Sequence, residues 1–427
     1  MFARIPLQEV NIRLKSIIFH IDVNSAFLSW EAVYRMAHRG EKQDLRETAS
    51  AVGGDITLRH GIILAKSIPA KSYGIKTGET IPEARRKCPD LILVPPDYKL
   101  YEKCSAAFME ILREYSDVVE QYSVDEAFVD MSASCYLFGS PREAAEQIKD
   151  RIRDELGFTV NVGISDNKLL AKMASDFRKP DRVHTLYPEE IKAKMWPLPV
   201  SDLFFVGRAT AGKLFSMGLG TIGELAEADP AWLKSVLKKQ GEMIWGFANG
   251  IDLSPVLERP AANKGYGNST TTPFDVTDTE TADQILLALC ETVGSRLRAD
   301  HVQICVVSVG IRYAELAGGS FPFVSHQRGL QSPTNLTWEI CGEARHLFRE
   351  LWNGRPIRRL EVHTGRVNGE DPGRQMSIFD EIDYEKLGRM DHAVDGIRSR
   401  FGADAVMRAV FLNRPIKHMS GGMGNTL

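Results

Sequence analysis

No apolar run in this chain approaches the roughly 20 residues that a membrane-crossing helix needs, so no spanning segment is expected. The N-terminus, Met1-Phe-Ala-Arg-Ile-Pro6, lacks the apolar stretch of a secretory signal, which points to an intracellular protein with no membrane partner. Cysteine is sparse and scattered: Cys88, Cys104, Cys135, Cys290, Cys305 and Cys341 include no C-x-x-C pair. That spacing excludes zinc-finger and dithiol redox sites, and the apolar neighbours of most of these residues predict buried free thiols. An excess of basic charge is also missing, with a formal net charge of −3. Any nucleic-acid binding therefore has to come from local patches and backbone donors rather than from the sum of charges. What is present, 43% hydrophobic and 26% charged residues over 427 positions, is the composition of a globular chain too long for one core, and two to four domains are expected.

The stretch Gln121-Tyr-Ser-Val-Asp-Glu-Ala-Phe-Val-Asp-Met131 carries β-branched and aromatic residues at Tyr122, Val124, Phe128 and Val129 and reads as a strand, a turn and a strand in a buried sheet. Asp125 and Glu126 interrupt that apolar setting. Neighbouring carboxylates near a core repel each other and lose hydration, so they call for a cation or for donors beside them. The pair is either an acidic hairpin turn or a divalent-metal site. A second stretch, Ser16-Ile-Ile-Phe-His-Ile-Asp-Val-Asn-Ser-Ala-Phe27, is an apolar strand that ends in Asp22 and leads into a helical pattern through Phe27, Trp30, Glu31 and Val33. Asp22 is either a helix N-cap or the third acid of an oxygen-rich cage for Mg²⁺.

Asp22 with Phe27 five positions on, the run Tyr122 to Phe128, and Gly163-Ile-Ser-Asp-Asn-Lys-Leu-Leu-Ala-Lys-Met-Ala-Ser175 together resemble the three signature blocks of the Y-family, or translesion, DNA polymerases, in the family's order and at compatible spacing. The likeness is to the bacterial DinB/UmuC type and runs from about Ser16 to the C-terminus. The fold it implies is α+β and multidomain, a right-hand polymerase with a ferredoxin-like palm (residues 1–25 and 96–185), small fingers (26–95), a helix-hairpin-helix thumb (186–256), a linker (257–267), a mixed α/β little finger (268–368) and a C-terminal tail (369–427). The implied chemistry is template-directed addition of dNTPs to a primer 3′-hydroxyl with two Mg²⁺ ions, at low fidelity and past damage, by a cytoplasmic, nucleoid-associated monomer. Asp22, Asp125 and Glu126 are the implied catalytic acids and metal ligands, joined by the Val23 carbonyl. Phe27 is the implied steric gate against a ribose 2′-hydroxyl, with Ser25 and Ala26 lining a roomy nucleotide site. Asn24, an aspartate in many relatives, is not a ligand in this resemblance.

Along the rest of the chain, helical periodicity is expected from Phe27 to about Met36, a polar loop from His38 to Ser50, strands at Gly61 to Ala65 and Leu91 to Val94, and a helix from Pro82 to Cys88. Lys66-Ser-Ile-Pro-Ala-Lys-Ser-Tyr-Gly-Ile-Lys76 sets three lysines around a turn into a helix. They are either solvated surface or, as the resemblance implies for Lys71, contacts to an incoming triphosphate. The family carries an arginine at that position, and a tyrosine where Ile68 stands. Lys99 to Val118 reads as an amphipathic helix, Ala144 to Leu156 as another, Phe158 to Gly163 as a strand and Ser165 to Arg178 as a helix, which completes the β-α-β-β-α-β order of a ferredoxin-like palm. Lys179 either complements a helix dipole or, by resemblance, approaches the triphosphate.

From Val200 to Ala226 the pattern is a helix, a glycine hairpin and a helix, with Gly207 and Arg208 as candidate phosphate contacts. Beyond the linker, strands (268–272, 303–313, 359–367) alternate with helices (281–299, 336–352). The hydroxyl-rich Ser269, Thr270 and Thr271 suit a DNA backbone, with Arg312, Arg328, Arg358 and Arg359 as further candidates, although acids slightly outnumber bases over this region. Gly373-Arg-Gln-Met-Ser-Ile-Phe-Asp380 either staples onto its own chain or seats in a partner's pocket. It resembles the peptide by which bacterial polymerases dock on the sliding clamp, through Gln375, Ser377, Ile378 and Phe379, with Ile378 in place of the usual leucine. Residues 384–401 read as a helix. The alternative to an enzyme is a catalytically silent relative that binds DNA and clamp; a helix-hairpin-helix nuclease would leave Phe27 and the clamp-like peptide without a use.

Overall fold

The computed structural model of the chain describes residues 16–54, 61–259, 262–314, 321–369, 383–412, 416 and 418–419. The chain forms two compact units, residues 1–53 with 63–261 and residues 54–62 with 262–427. In the first, β1 (Ile18–Val23) leads into α1 (Ala26–Arg39), and a small sheet follows from β2 (Ser50–Gly53) and β3 (Ile63–Lys66), with α2 (Ile68–Ser72), α3 (Ile81–Lys87) and β4 (Ile92–Val94). The chain then returns through α4 (Tyr98–Arg113), the hairpin of β5 (Val119–Gln121) and β6 (Glu126–Asp130), α5 (Pro141–Leu156), β7 (Val160–Ser165), α6 (Lys168–Asp176) and β8 (Val183–Thr185).

These strands assemble in the order β5-β6-β1-β7-β8, so β1 lies in the interior between two antiparallel partners. Because side chains alternate along a strand, β1 serves two faces at once. Phe19, Ile21 and Val23 join Phe108, Ile111 and Leu112 of α4 and Ala144, Ile148 and Ile152 of α5 in one core. His20 and Asp22 point the other way, toward α6 and the turn after it, where His20 Nδ1 meets Ser175 Oγ at 2.8 Å. The helices begin where the sequence caps them: Ser140 and Glu143 form a reciprocal capping box with Pro141 at the first turn, and Gly157 closes α5 at φ 76°. Packing of α6 on β7 demands a glycine at Gly163, where a Cβ would sit 1.9 Å from the Ala171 carbonyl oxygen and 2.5 Å from Ser175 N.

A helical bundle follows, α7 (Ile191–Lys194), α8 (Arg208–Ser216), α9 (Ile222–Glu227), α10 (Pro230–Leu237) and α11 (Lys239–Ala248), whose core, with Leu203, Leu214, Leu225, Leu233 and Ile244, also takes in Leu169, Leu170 and Met173 of α6. The second unit is a sheet of β9 (Gly267–Val276), β10 (Gln303–Tyr313), β11 (Phe323–Thr334) and β12 (Ile357–Asn368) in the order β11-β10-β12-β9. It carries α12 (Thr279–Ala299), α13 (Thr337–Leu351) and α14 (Tyr384–Phe401). Arg298 of α12 pairs with Asp391 at 3.1 Å and Asp395 at 2.5 Å, and Arg398 with Glu291 at 3.2 Å, all but Asp395 nearly out of solvent, which ties α14 to α12. Cys88, Cys135, Cys290 and Cys341 are buried, and all six cysteines are free. Among the described residues no helix is long and apolar enough to cross a membrane.

Several expectations are corrected. The region from His38 to Ser50 is no simple loop: α1 runs to Arg39, Gly40 ends it at φ 66°, and Leu45–Glu47 form a short 3-10 turn before β2. The helix read as reaching Val118 ends at Arg113, where Ser116 Oγ turns the chain by donating to Asp130 O at 2.6 Å and accepting from Val118 N at 3.1 Å. The edge strand β11 had no sequence signal, since its Ser, His, Gln and Arg residues give neither alternation nor an apolar run. Edge position also accounts for Pro273 inside β9, which can forgo an N–H on its outer side.

Gly163→Ala is expected to lower unfolding stability by about 3 kcal/mol, because backbone atoms have to move. Gly212→Ala, which meets nothing within 4 Å in the interior of α8, is expected to leave it unchanged or slightly higher. Denaturant unfolding of the two variants beside the native chain checks both.

Candidate active site

Strand pairing brings the acids together. Asp22 lies directly opposite Glu126 on β6 and opposite Asn161 on β7. Asp125, in the turn one residue earlier, is joined to the end of β1 by its carbonyl, which accepts from Val23 N at 3.0 Å. Ser123 Oγ donates to Asp125 Oδ1 at 2.7 Å and so orients that carboxylate. Asp22 is 7% exposed, and burial pushes its carboxyl up to about 6, an effect that Lys179 partly offsets and that Glu126 and Asp176 reinforce. Three carboxylates thus stand at neighbouring positions, Asp22 buried and Asp125 and Glu126 half-buried.

Two lysines answer that charge. Lys179 pairs with Asp22 and, at 2.8 Å, with Asp176, and these acids hold its ammonium well above the usual lysine range against the opposing effect of burial. Lys172 of α6 donates to Glu126 Oε1 at 2.8 Å and rests against the rings of Tyr122 and Phe204, 5.7 and 5.4 Å from their centres. Burial, with Lys172, Lys179 and Lys168 nearby, keeps His20 neutral, well below its usual value. Ser175 Oγ already donates to Lys172 O, so it accepts from His20 Nδ1–H, which leaves Nε2 to face Lys172 Nζ at 3.5 Å.

Among the described residues no three His, Cys, Asp or Glu side chains already converge as a closed metal cage. The donor set nevertheless fits a hard divalent cation: oxygen ligands only, among them a carboxylate whose pKa burial raises and neighbouring acids raise further. Asn24 is engaged elsewhere. Its amide accepts from Thr159 Oγ1 and Asp181 N, each at 3.0 Å, and donates to Asn161 Oδ1 at 3.2 Å, so no atom is left over for a metal.

Ser25 adopts the left-handed region at φ 50° and makes no side-chain cap, so the first N–H groups of α1 have no side-chain acceptor from it. Ala26 is buried and Phe27 half-buried. Phe27 stacks on Tyr101 with ring centres 4.4 Å apart and 10° between planes, and lies 5.9 Å from Trp30 and 6.3 Å from Tyr98. The stack is itself anchored, since Tyr101 Oη donates to buried Glu31 at 3.0 Å, which Arg35 also engages at 3.0 Å. Sequence reasoning missed Tyr101 and Glu31 as supports of Phe27, and only the helical register of Glu31 behind Phe27 hinted at them. Lys71 is exposed in the last turn of α2; with burial it lowers the pKa of Lys66, which donates to Thr77 at 3.0 Å, so the two amines share a patch.

Gly207 caps α8 with an ordinary extended φ of −77°, so the left-handed residue of the hairpin is exposed Phe205 at φ 69°. Space beside Gly207 is open and Arg208, next to it, is exposed. Ser269, Thr270 and Thr271 lie on edge strand β9 opposite Glu361, Leu360 and Arg359, and Arg359 donates to Ser269 Oγ at 2.8 Å. Arg328, a further candidate for DNA contact, pairs with Glu343 and Glu350 at 3.1 and 2.8 Å. Gln375, Ser377, Ile378 and Phe379 lie outside the described residues.

Comparison with known proteins gives the class first. Residues 21–176 match the impB/mucB/samB family, 188–219 the helix-hairpin-helix motif of that family and 263–378 its C-terminal domain. The chain belongs to this family, the Y-family translesion DNA polymerases. Its relatives carry a particular name: it is 44% identical to the DNA polymerase IV of Clostridium acetobutylicum over 95% of this chain and 100% of that protein. It is 39% identical to the DNA polymerase IV of Acetivibrio thermocellus over 93% and 98%, and 35% identical to DNA polymerase IV 1 of Bacillus subtilis over 93% and 94%. The fold is shared with a chimeric Y-family DNA polymerase at a TM-score of 0.69 and 21% identity, over 82% of this chain and 99% of that one. Membership of the family implies use of a divalent metal.

Lys172→Met removes the ammonium that competes for Glu126. Mn²⁺ binding to the protein without DNA, read by electron paramagnetic resonance at low salt, is expected to tighten about fivefold. Unchanged or weaker binding would mean that Lys172 supports the cation site instead of competing with it.

Proposed function

We infer that this chain is a template-directed DNA polymerase of the translesion class, taking primer–template DNA and dNTPs as substrates. The observation that carries the reading to particular residues is the register of β1 and β6, which sets Asp22 against Glu126 with Asp125 one residue away. Asp22, Asp125 and Glu126, with the Val23 carbonyl, would hold two Mg²⁺ ions, Glu126 on the one that would activate the primer 3′-hydroxyl. When bound, the ions supply a lowered pKa at the primer 3′-hydroxyl and charge neutralisation at the leaving pyrophosphate. The rest is positioning by this chain. Lys179 and Lys71 meet the triphosphate, together with the N–H groups that follow Ser25 and Ala26 at the start of α1. Phe27, backed by Tyr101, stands against the sugar and leaves no room for a 2′-hydroxyl.

Residues 1–25 and 96–185 act as palm, 26–95 as fingers and 186–256 as thumb, with Gly207 and Arg208 on the duplex backbone. A linker, 257–267, leads to a little finger, 268–368, that lays Ser269, Thr270 and Thr271 on phosphates. In the tail, 369–427, Gln375, Ser377, Ile378 and Phe379 dock on a sliding clamp. The protein works as a cytoplasmic, nucleoid-associated monomer.

Primer extension with Mg²⁺ and single dNTPs tests this. The native chain is expected to extend as the template dictates, and Asp125→Asn with Glu126→Gln to abolish extension while DNA binding persists. DNA binding without extension by the native chain would make it a silent accessory protein. Phe27→Ala is expected to raise ribonucleotide incorporation relative to deoxynucleotide by about a hundredfold, and an unchanged ratio would remove Phe27 as the gate. Phe379→Ala is expected to lose stimulation by a clamp and to keep unassisted extension.

A further inference from the structure

The turn that carries Lys179 is caught by side-chain amides on both sides. Asn161, fully buried on β7 opposite Asp22, donates through Nδ2 to Ser175 O at 3.0 Å and to Arg178 O at 2.8 Å. Asn24, which follows β1, accepts from Asp181 N at 3.0 Å and donates to Asn161 Oδ1 at 3.2 Å. The orientation of each amide is forced: Asp181 N–H requires an oxygen, and the two carbonyls require an NH₂. Lys179 therefore has its backbone fixed one residue before it, at Arg178, and two after it, at Asp181. An outer layer repeats the hold. Asp181 faces Lys149 and Arg153 of α5, each at 3.6 Å, and its left-handed φ of 55° is a conformation that a non-glycine residue keeps only when its surroundings enforce it.

We propose that Asn24 and Asn161 form a two-amide clamp that positions Lys179 for the triphosphate of the incoming nucleotide. This rests on the reading of Lys179 given under Proposed function. With the turn fixed, moving the ammonium from Asp22 to a phosphate rearranges one side chain and orders no loop, so binding energy is not spent on the backbone. The clamp also gives a reason for an amide at Asn24. An aspartate there keeps the acceptor for Asp181 N but loses the donor, and sets an oxygen against Asn161 Oδ1. Asn161 cannot rotate to relieve that contact without releasing the carbonyls of Ser175 and Arg178. Asn24 and Asn161 are positioning residues, since neither reaches the substrate except through Lys179.

The test is a double-mutant cycle on the full chain, reading dNTP dissociation constants on a dideoxy-terminated primer–template with a fluorescent template base, so that no turnover is needed. Lys179→Met is expected to weaken dNTP binding about tenfold, which is about 1.4 kcal/mol. Asn24→Asp is expected to weaken it about fivefold in the native background and by less than about 1.5-fold when Lys179 is already Met, with primer–template affinity unchanged in both. Thr159→Val, which touches Asn24 but not the lysine turn, is expected to have no effect on dNTP binding. Equal losses from Asn24→Asp in the two backgrounds overturn the clamp, because the effect then bypasses Lys179. A silent Asn24→Asp beside an impaired Lys179→Met overturns the clamp alone, whereas a silent Lys179→Met overturns the reading of Lys179 and the clamp with it. Where Asn24→Asp does not fold, Lys149→Met in the outer layer decides: about a threefold loss that vanishes in the Lys179→Met background is expected, and no loss counts against the proposal.

Discussion

A carboxylate buried in the interior of a sheet is the constraint on which the first unit depends. Asp22 sits on the central strand of the sheet, and its neighbours across each ladder are another acid, Glu126, and an amide, Asn161. Taking such a charge out of water costs several kcal/mol unless it is paired. Lys179, Lys172 and neutral His20 surround the acids on the α6 side of the sheet, while on the opposite side β1 gives Phe19, Ile21 and Val23 to the hydrophobic core. The hydrophobic face fixes the register, and the register fixes which charges meet.

The helices serve this arrangement in different ways. α6 lies so close to β7 that only a glycine fits beneath it, which brings Lys172 and Ser175 within reach of the strand ends. α4 presents the aromatic wall behind Phe27, and Tyr101 is held in that wall by a buried acid on α1. In the second unit the same tactic appears: Arg298 pairs with Asp391 and Arg398 with Glu291, all four nearly out of solvent.

Much of this was legible before any coordinates. The acids, the strand that ends in Asp22, the hairpin and the helix bearing Lys168 and Lys172 all announce themselves through polar residues in apolar runs, and they lie where the pattern put them. The edge strand β11 did not, because an exposed strand needs no apolar alternation to form when a neighbour supplies its hydrogen bonds. Nor did the end of α4, set by the reach of Ser116 to Asp130, a contact between residues that periodicity treats as unrelated. The commitment of Arg328 to two acids and the hold of Asn161 on Arg178 are likewise facts of three-dimensional proximity. The left-handed position in the hairpin fell on Phe205 and not on Gly207, since local glycine content marks where such a turn can occur and not which residue turns.

The pairing of Asp22 and Glu126 with lysines has a consequence for the protein when no ligand is bound. A chain that neutralises its own carboxylates carries its counter-ions as part of its covalent structure, so folding and storage do not depend on the free magnesium around it. Two of the three acids, Asp22 and Glu126, are thereby held in place by the chain's own cations, Lys179 and Lys172, whatever the ionic surroundings.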